Sequence, residues 1–179
     1  MSVKKALNKY FKELLDYWNR KYGTLPKTSW DEDVNPLLFQ AEPDEEEYIY
    51  WKPKLKDRHE DFDKIEKMIG ITINSTVKEY FDLYWFLEIE GFYNSKRINL
   101  EPNEPDKDIV RYFQSMKQYE ENIGNLFRYI QIGVISPEDM SIAVDNETGK
   151  IVIQDYETGN VEVMAESLEE LIEGLRLIK

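Results

Sequence analysis

The chain contains no cysteine and one histidine, His59, among its 179 residues. The first absence excludes a disulfide scaffold, a thiol nucleophile and any thiolate metal site. The second removes the commonest proton shuttle, and a zinc site would have to be built almost wholly from carboxylates. His59 stands among Asp57, Arg58, Glu60 and Asp61 just before a helical pattern, which reads as a solvated helix start. The eight glycines are scattered and form no phosphate-binding loop. No apolar run approaches the ~20 residues of a membrane span. Lys4, Lys5, Lys9, Lys12, Glu13 and Asp16 interrupt the N-terminus too often for a signal peptide, so a cytosolic protein is expected.

Positive charge is also scarce. Lys and Arg number 23 against 36 Asp and Glu, for a net charge of −13. Residues 1–21 hold six cations against two acids, +4, which leaves −17 for the remainder. Phosphate contacts need a basic surface, so nucleic acid is set aside and a basic protein surface is the expected partner. Acidity serving solubility alone is the plain alternative.

What is present is a patterned, aromatic-rich chain. Val3, Leu7, Tyr10, Phe11, Leu14, Leu15 and Trp18 recur at helical spacing and predict an amphipathic helix over 1–22, closed at Gly23. Core packing is the expected fate of its apolar face, with adsorption to an anionic membrane surface as the alternative. A long wrapped connection follows from Thr24 to Glu47, anchored by Trp30, Leu37, Leu38 and Phe39. Tyr48 to Trp51 has strand composition. Phe62, Ile65, Met68 and Ile69 predict a short helix ended by Gly70. Another is expected from Thr76 to about Trp85, with Thr76 and Glu79 at capping-box spacing and Val77, Tyr80, Phe81 and Tyr84 inward.

Leu87 and Ile89, then Ile98 and Leu100, alternate with polar residues and predict a hairpin around Asn94-Ser95. Pro105 is expected to open a long helix carrying Ile109, Phe113, Met116, Ile123, Phe127 and Ile130, with Gly124 as a break point. Ile142 and Val144, Ile151 and Ile153, and Val161 and Val163 predict a three-stranded meander with one wet face. Its turns fall at Asn146–Gly149 and Glu157–Asn160. Ser167 and Glu170 cap a last helix with Leu168, Leu171, Ile172 and Leu175 inward. Helices and strands come in runs, so the fold class is α+β, an antiparallel sheet with helices packed on it, as one domain over 1–179 with the first helix docked on it.

No constellation of catalytic type emerges, and no cofactor or metal is implied. Glu88 and Glu90 are expected on one strand face, ~6.5–7 Å apart from two residues of rise. That overlaps the spacing of glycosidase carboxylates. It equally suits an exposed face, or a pair receiving one cationic side chain. Asp145–Gly149 and Asp155–Gly159 lack the twelve-residue calcium pattern and read as turns. The remaining partner-binding candidates join carboxylates to aromatics: Trp30 with Asp31, Glu32 and Asp33, and Asp44, Glu45, Glu46 and Glu47 leading into Tyr48, Tyr50 and Trp51. Such a surface suits Arg and Lys through ion pairing and cation–π contact.

Several strings resemble the Syd family of SecY-interacting proteins, a branch of the SUKH superfamily. They are Tyr17-Trp18 with Tyr22-Gly23 and Leu25-Pro26, Tyr50-Trp51-Lys52-Pro53, Phe62 to Glu66 running into Ile71 to Thr76, Tyr80-Phe81, Glu121 to Leu126, and Leu168 to Leu171. The resemblance implies a non-enzymatic α+β protein, peripheral to the inner face of the plasma membrane, that binds the basic cytosolic loops of SecY through an acidic concave surface. The wider superfamily supplies the alternative, an immunity protein that neutralises a cognate secreted toxin. Neither places a binding residue, so the candidates above rest on their chemistry.

Overall fold

The computed structural model describes residues 2–138 and 140–177. Helix α1 (Val3–Tyr22) ends as its sequence requires: Gly23 takes the left-handed conformation, φ +68°, and its amide donates to the Asn19 carbonyl. Strand β1 (Lys27–Ser29) follows, then a 3-10 turn at Pro36–Leu38, and β2 (Tyr48–Tyr50) returns to pair with β1 as an antiparallel ribbon. A second ribbon joins β3 (Lys54–Leu55) to β4 (Tyr84–Trp85), bracketing α2 (Phe62–Ile69) and α3 (Ser75–Leu83).

The main sheet has six strands: β5 (Ile89–Tyr93), β6 (Lys96–Leu100), β7 (Tyr129–Ser136), β8 (Met140–Asp145), β9 (Ile151–Gln154) and β10 (Val161–Ala165). They lie in the order β10-β9-β8-β7-β6-β5, antiparallel throughout, with α4 (Ile109–Asn122) inserted between β6 and β7 and α5 (Leu168–Gly174) closing the chain. The α+β class follows directly. The core gathers Leu7, Phe11, Tyr80, Phe81, Phe86, Phe113 and the inward residues of the sheet, including Ile98, Ile130, Ile142 and Ile153, all buried. Helix α1 packs against α3 and α5. The C-terminal segment seals the β5 edge, where Phe92 and Arg176 exchange two backbone hydrogen bonds of 2.8 and 2.9 Å.

Several expectations are corrected. The long helix begins at Ile109, where Asp108 accepts from the Arg111 amide, and not at Pro105. It stops at Asn122, so Phe127 and Ile130 lie outside it, and Ile130 belongs to β7. This strand was hidden because its alternation is broken: the register shifts between Gln131 and Gly133. At Gly133 a Cβ would stand 2.5 Å from the Asn99 carbonyl oxygen, so the backbone of β6 itself demands glycine. Asn74, not Thr76, caps α3, accepting from the Thr76 amide, and α3 ends at Leu83, which leaves Tyr84 in β4. Asn94 and Ser95, both at positive φ, turn the chain from β5 to β6. The expected strand start at Leu87 moves to Ile89. The meander is not wet on one face, since every residue of β9 is buried. Exposure concentrates instead on the edge strand β10, at Val161 to Val163.

Candidate functional site

A cavity of about 250 Å³ opens where α1, the β1–β2 ribbon and the start of β5 converge. The first half of α1 is core: Val3, Ala6, Leu7, Tyr10 and Phe11 are buried. The second half overhangs the core, and Leu14, Tyr17, Trp18 and Tyr22 line one side of the hollow. Trp18 and Tyr22 lie 5.0 Å apart between ring centroids. The opposite wall carries Glu88, Glu90 and Trp51.

Each carboxylate is held differently. Glu88 accepts from the Thr28 hydroxyl on β1. Burial pushes its carboxyl above the ordinary carboxylate value, the Thr28 hydrogen bond pulls it down, and the Glu90 charge adds to the rise. Glu90 accepts from the Arg97 guanidinium across the β5–β6 hairpin at 3.0 Å. Its backbone is fixed by Tyr10, whose hydroxyl donates to the Glu90 carbonyl and accepts from the Glu90 amide, both at 2.9 Å. Trp51 is 1% exposed, and its indole Nε1–H has no hydrogen-bond partner among the described residues. An unpaired buried donor costs about 1–3 kcal/mol.

Lys27 lies at the rim, but its ammonium pairs with Asp44 and sits 5.0 Å over the Tyr48 ring. Asp44 raises the Lys27 value and is itself held below the carboxylate range by that same ion pair. Asp44 also accepts from the Glu46 and Tyr48 amides. Part of the acidic run therefore shapes a turn and neutralises an internal cation.

The other candidates divide. At the far end of the ribbon the Trp30 amide donates to the Glu47 carbonyl at 2.7 Å, which brings Trp30 and Asp31 to Asp33 beside Glu45 to Tyr48. Asp31, Glu32, Asp33, Glu45, Glu46 and Glu47 are exposed there and do not line the hollow. Tyr50 faces a shallower depression with Leu15, Asn19 and Gln40. Only Glu88, Glu90 and Trp51 of the sequence-selected residues share the cavity, and Trp51 does so as a buried wall and not as a surface aromatic. Sequence reading missed Tyr17, Trp18 and Tyr22 as lining residues. Their signal is aromatic spacing that continues down α1 beyond the point where the core is filled.

A model of the family described as Syd protein, SUKH-2, matches residues 4–176. The chain belongs to the Syd family. Protein Syd of Shewanella loihica is similar at 24% identity over 98% of this chain and 83% of its own length. Protein Syd of Erwinia tasmaniensis is 21% identical over 96% of this chain and 92% of its own. Protein Syd of Alteromonas mediterranea is 20% identical over 98% and 96% respectively. The family match spans nearly all of the described fold. No helix among the described residues is long and apolar enough to cross a membrane.

Proposed function

We propose that this Syd-family chain binds another protein by taking a cationic side chain of that partner into the hollow under α1, and that the partner is a basic cytosolic loop of SecY. One observation carries the reading: two carboxylates, Glu88 and Glu90, share a cavity with Tyr17, Trp18 and Tyr22. Carboxylates attract a guanidinium or ammonium, and aromatic faces hold it by cation–π contact worth about 0.5–2 kcal/mol. The exposed acids at the ribbon tip and the net charge of −13 add long-range attraction, which speeds encounter and weakens with salt. At the membrane the protein is peripheral, held by its partner.

Titration of the protein with synthetic peptides of the SecY cytosolic loops, read by tryptophan fluorescence, tests this. Glu88→Gln with Glu90→Gln is expected to weaken binding about tenfold or more. Equal affinity of wild type and double variant, or binding indifferent to ionic strength, overturns the reading.

A further inference from the structure

The two edges of the main sheet are treated differently. The β5 edge is covered by the chain's own Arg176 segment, whereas β10 pairs with β9 alone. Edge strands are commonly guarded by charged side chains, above all lysine, by proline or by a bulge, and β10 has one charge, Glu162, and a bulge after Val163. Strand β10 has neither lysine nor proline, its register shift falls only at its end beyond Val163, and Val161 and Val163 are 43% and 56% exposed. The ladder sets which backbone groups point outward. The Asp155 amide donates to the Asn160 carbonyl, so the hydrogen-bonded pairs of this ladder include Asp155 with Asn160 and, two residues on, Ile153 with Glu162. The amides and carbonyls of Val161 and Val163 therefore face away from β9, and neither residue has another backbone partner among the described residues.

Beside Val161 a second cavity, about 610 Å³, lies between the end of α4 and the β9–β10 turn. Tyr119, Ile123, Leu126 and Tyr156 expose apolar surface around it, Leu126 at 89%. Its lining holds a buried carboxylate and an orphaned amide oxygen. Glu120, 4% exposed, accepts from the Tyr156 hydroxyl at 2.8 Å and the Asn125 amide at 2.9 Å, and has no cationic partner among the described residues. Gln154, 6% exposed, has no hydrogen-bond partner for Oε1 among the described residues. Arg128, which also lines the cavity, is engaged with Asp145 and Glu147. A buried carboxylate without a counter-charge and an orphaned carbonyl oxygen in one hollow call for an ammonium or guanidinium from outside.

We propose that β10 is a docking edge for an extended basic segment of another polypeptide, which adds as a seventh strand on Val161 and Val163 and places a lysine side chain into the cavity at Glu120 and Gln154. The geometry fits. One strand spacing, about 4.8 Å, separates the added strand from β10, and an extended lysine leaning over Val161 enters the cavity that Val161 lines. Side chains alternate, so the next residue of the segment falls on the face of Glu162, away from the cavity. A second copy of this chain is disfavoured as occupant because it would bring another −13 to the edge. This site is separate from the hollow at Glu88 and does not depend on the function proposed there.

The probe is a fluorescein-labelled peptide of alternating lysine and valine, with alternating lysine and proline as the control of equal charge that cannot form a strand. The wild-type protein should bind the first at least tenfold more tightly than the second. Val163→Pro, which removes an outward amide without touching the β9 ladder, and Glu120→Gln should each weaken binding about tenfold, with folding checked by circular dichroism. On wild type alone, the peptide should slow amide exchange at Val161 and Val163. No binding, equal binding of both peptides, or no protection at those two amides overturns the proposal. Protection that rises with protein concentration in the absence of peptide also overturns it, since the occupant is then a second copy.

Discussion

The Tyr10 hydroxyl is inserted into the backbone of Glu90, donating to its carbonyl and accepting from its amide. Eighty residues of sequence separate the two, and the contact pins the start of β5 to the middle of α1. Burial and the Glu90 and Glu88 charges push the Tyr10 phenol up, with the Glu90 backbone bond opposing them, so it stays a donor throughout the working range.

Tyr10→Phe leaves the Glu90 amide and carbonyl unpaired in a part-buried place. Urea unfolding should show a loss of about 1–3 kcal/mol. Because the same contact positions Glu90, affinity for the SecY loop peptides should fall as well.

Glu88 carries a pH signature. Its carboxyl is raised in the folded protein, mainly by burial, so the folded state binds a proton more readily than the unfolded one. Stability from this group is full below the unfolded value and is lost as pH rises through the folded value. Glu88→Gln keeps an acceptor for Thr28 and removes that loss. The variant should gain stability relative to wild type at neutral pH, with the gain vanishing in acid; denaturant titrations at several pH values measure it.

Asp145 has the opposite sign. Arg128 holds its carboxyl down at about 2, with the Glu147 amide and Thr148 assisting against the cost of burial. The stability it contributes is present above the unfolded value of 3.8 and is lost as pH falls toward 2. Since Arg128 is half exposed, the contribution is about 1–2 kcal/mol after screening. Asp145→Asn should remove this acid-side slope from a thermal melt series.

Gly133→Ala would put a methyl group 2.5 Å from the Asn99 carbonyl oxygen and 2.9 Å from the Leu100 side chain. One of the central strands must move. A loss of about 2–4 kcal/mol is expected in chemical denaturation, with new chemical shifts along β6 and β7.

The sequence disclosed elements wherever one physical signal acted alone. Clean alternation marked β8 and β9, glycine after an apolar stripe ended α1 and α2, and Ser167 three residues before Glu170 began α5, where its hydroxyl accepts from the Glu170 amide. It failed where two signals met. The bulge at Gln131–Gly133 turned a strand of alternating isoleucines into what reads as a helix continuation. For the candidate site, Glu88, Glu90 and Trp51 were visible as chemistry. That they meet Trp18 and Tyr22 depends on how α1 crosses the β1–β2 ribbon, a tertiary relation that no local spacing encodes. The acidic runs were equally conspicuous, yet Asp44 spends its charge on Lys27 inside the same chain.

The placement of α4 has a consequence for how the molecule assembles. Strands β5 and β6 form one hairpin and β7 to β10 a run of neighbours, so almost every pairing in the sheet is local. The exception is β6 with β7, whose partners are separated by residues 101–128. Closing that long detour is the entropically costly step, and the two halves can each take shape before it happens. Pulsed hydrogen exchange during refolding should find the amides joining β6 to β7 protected last.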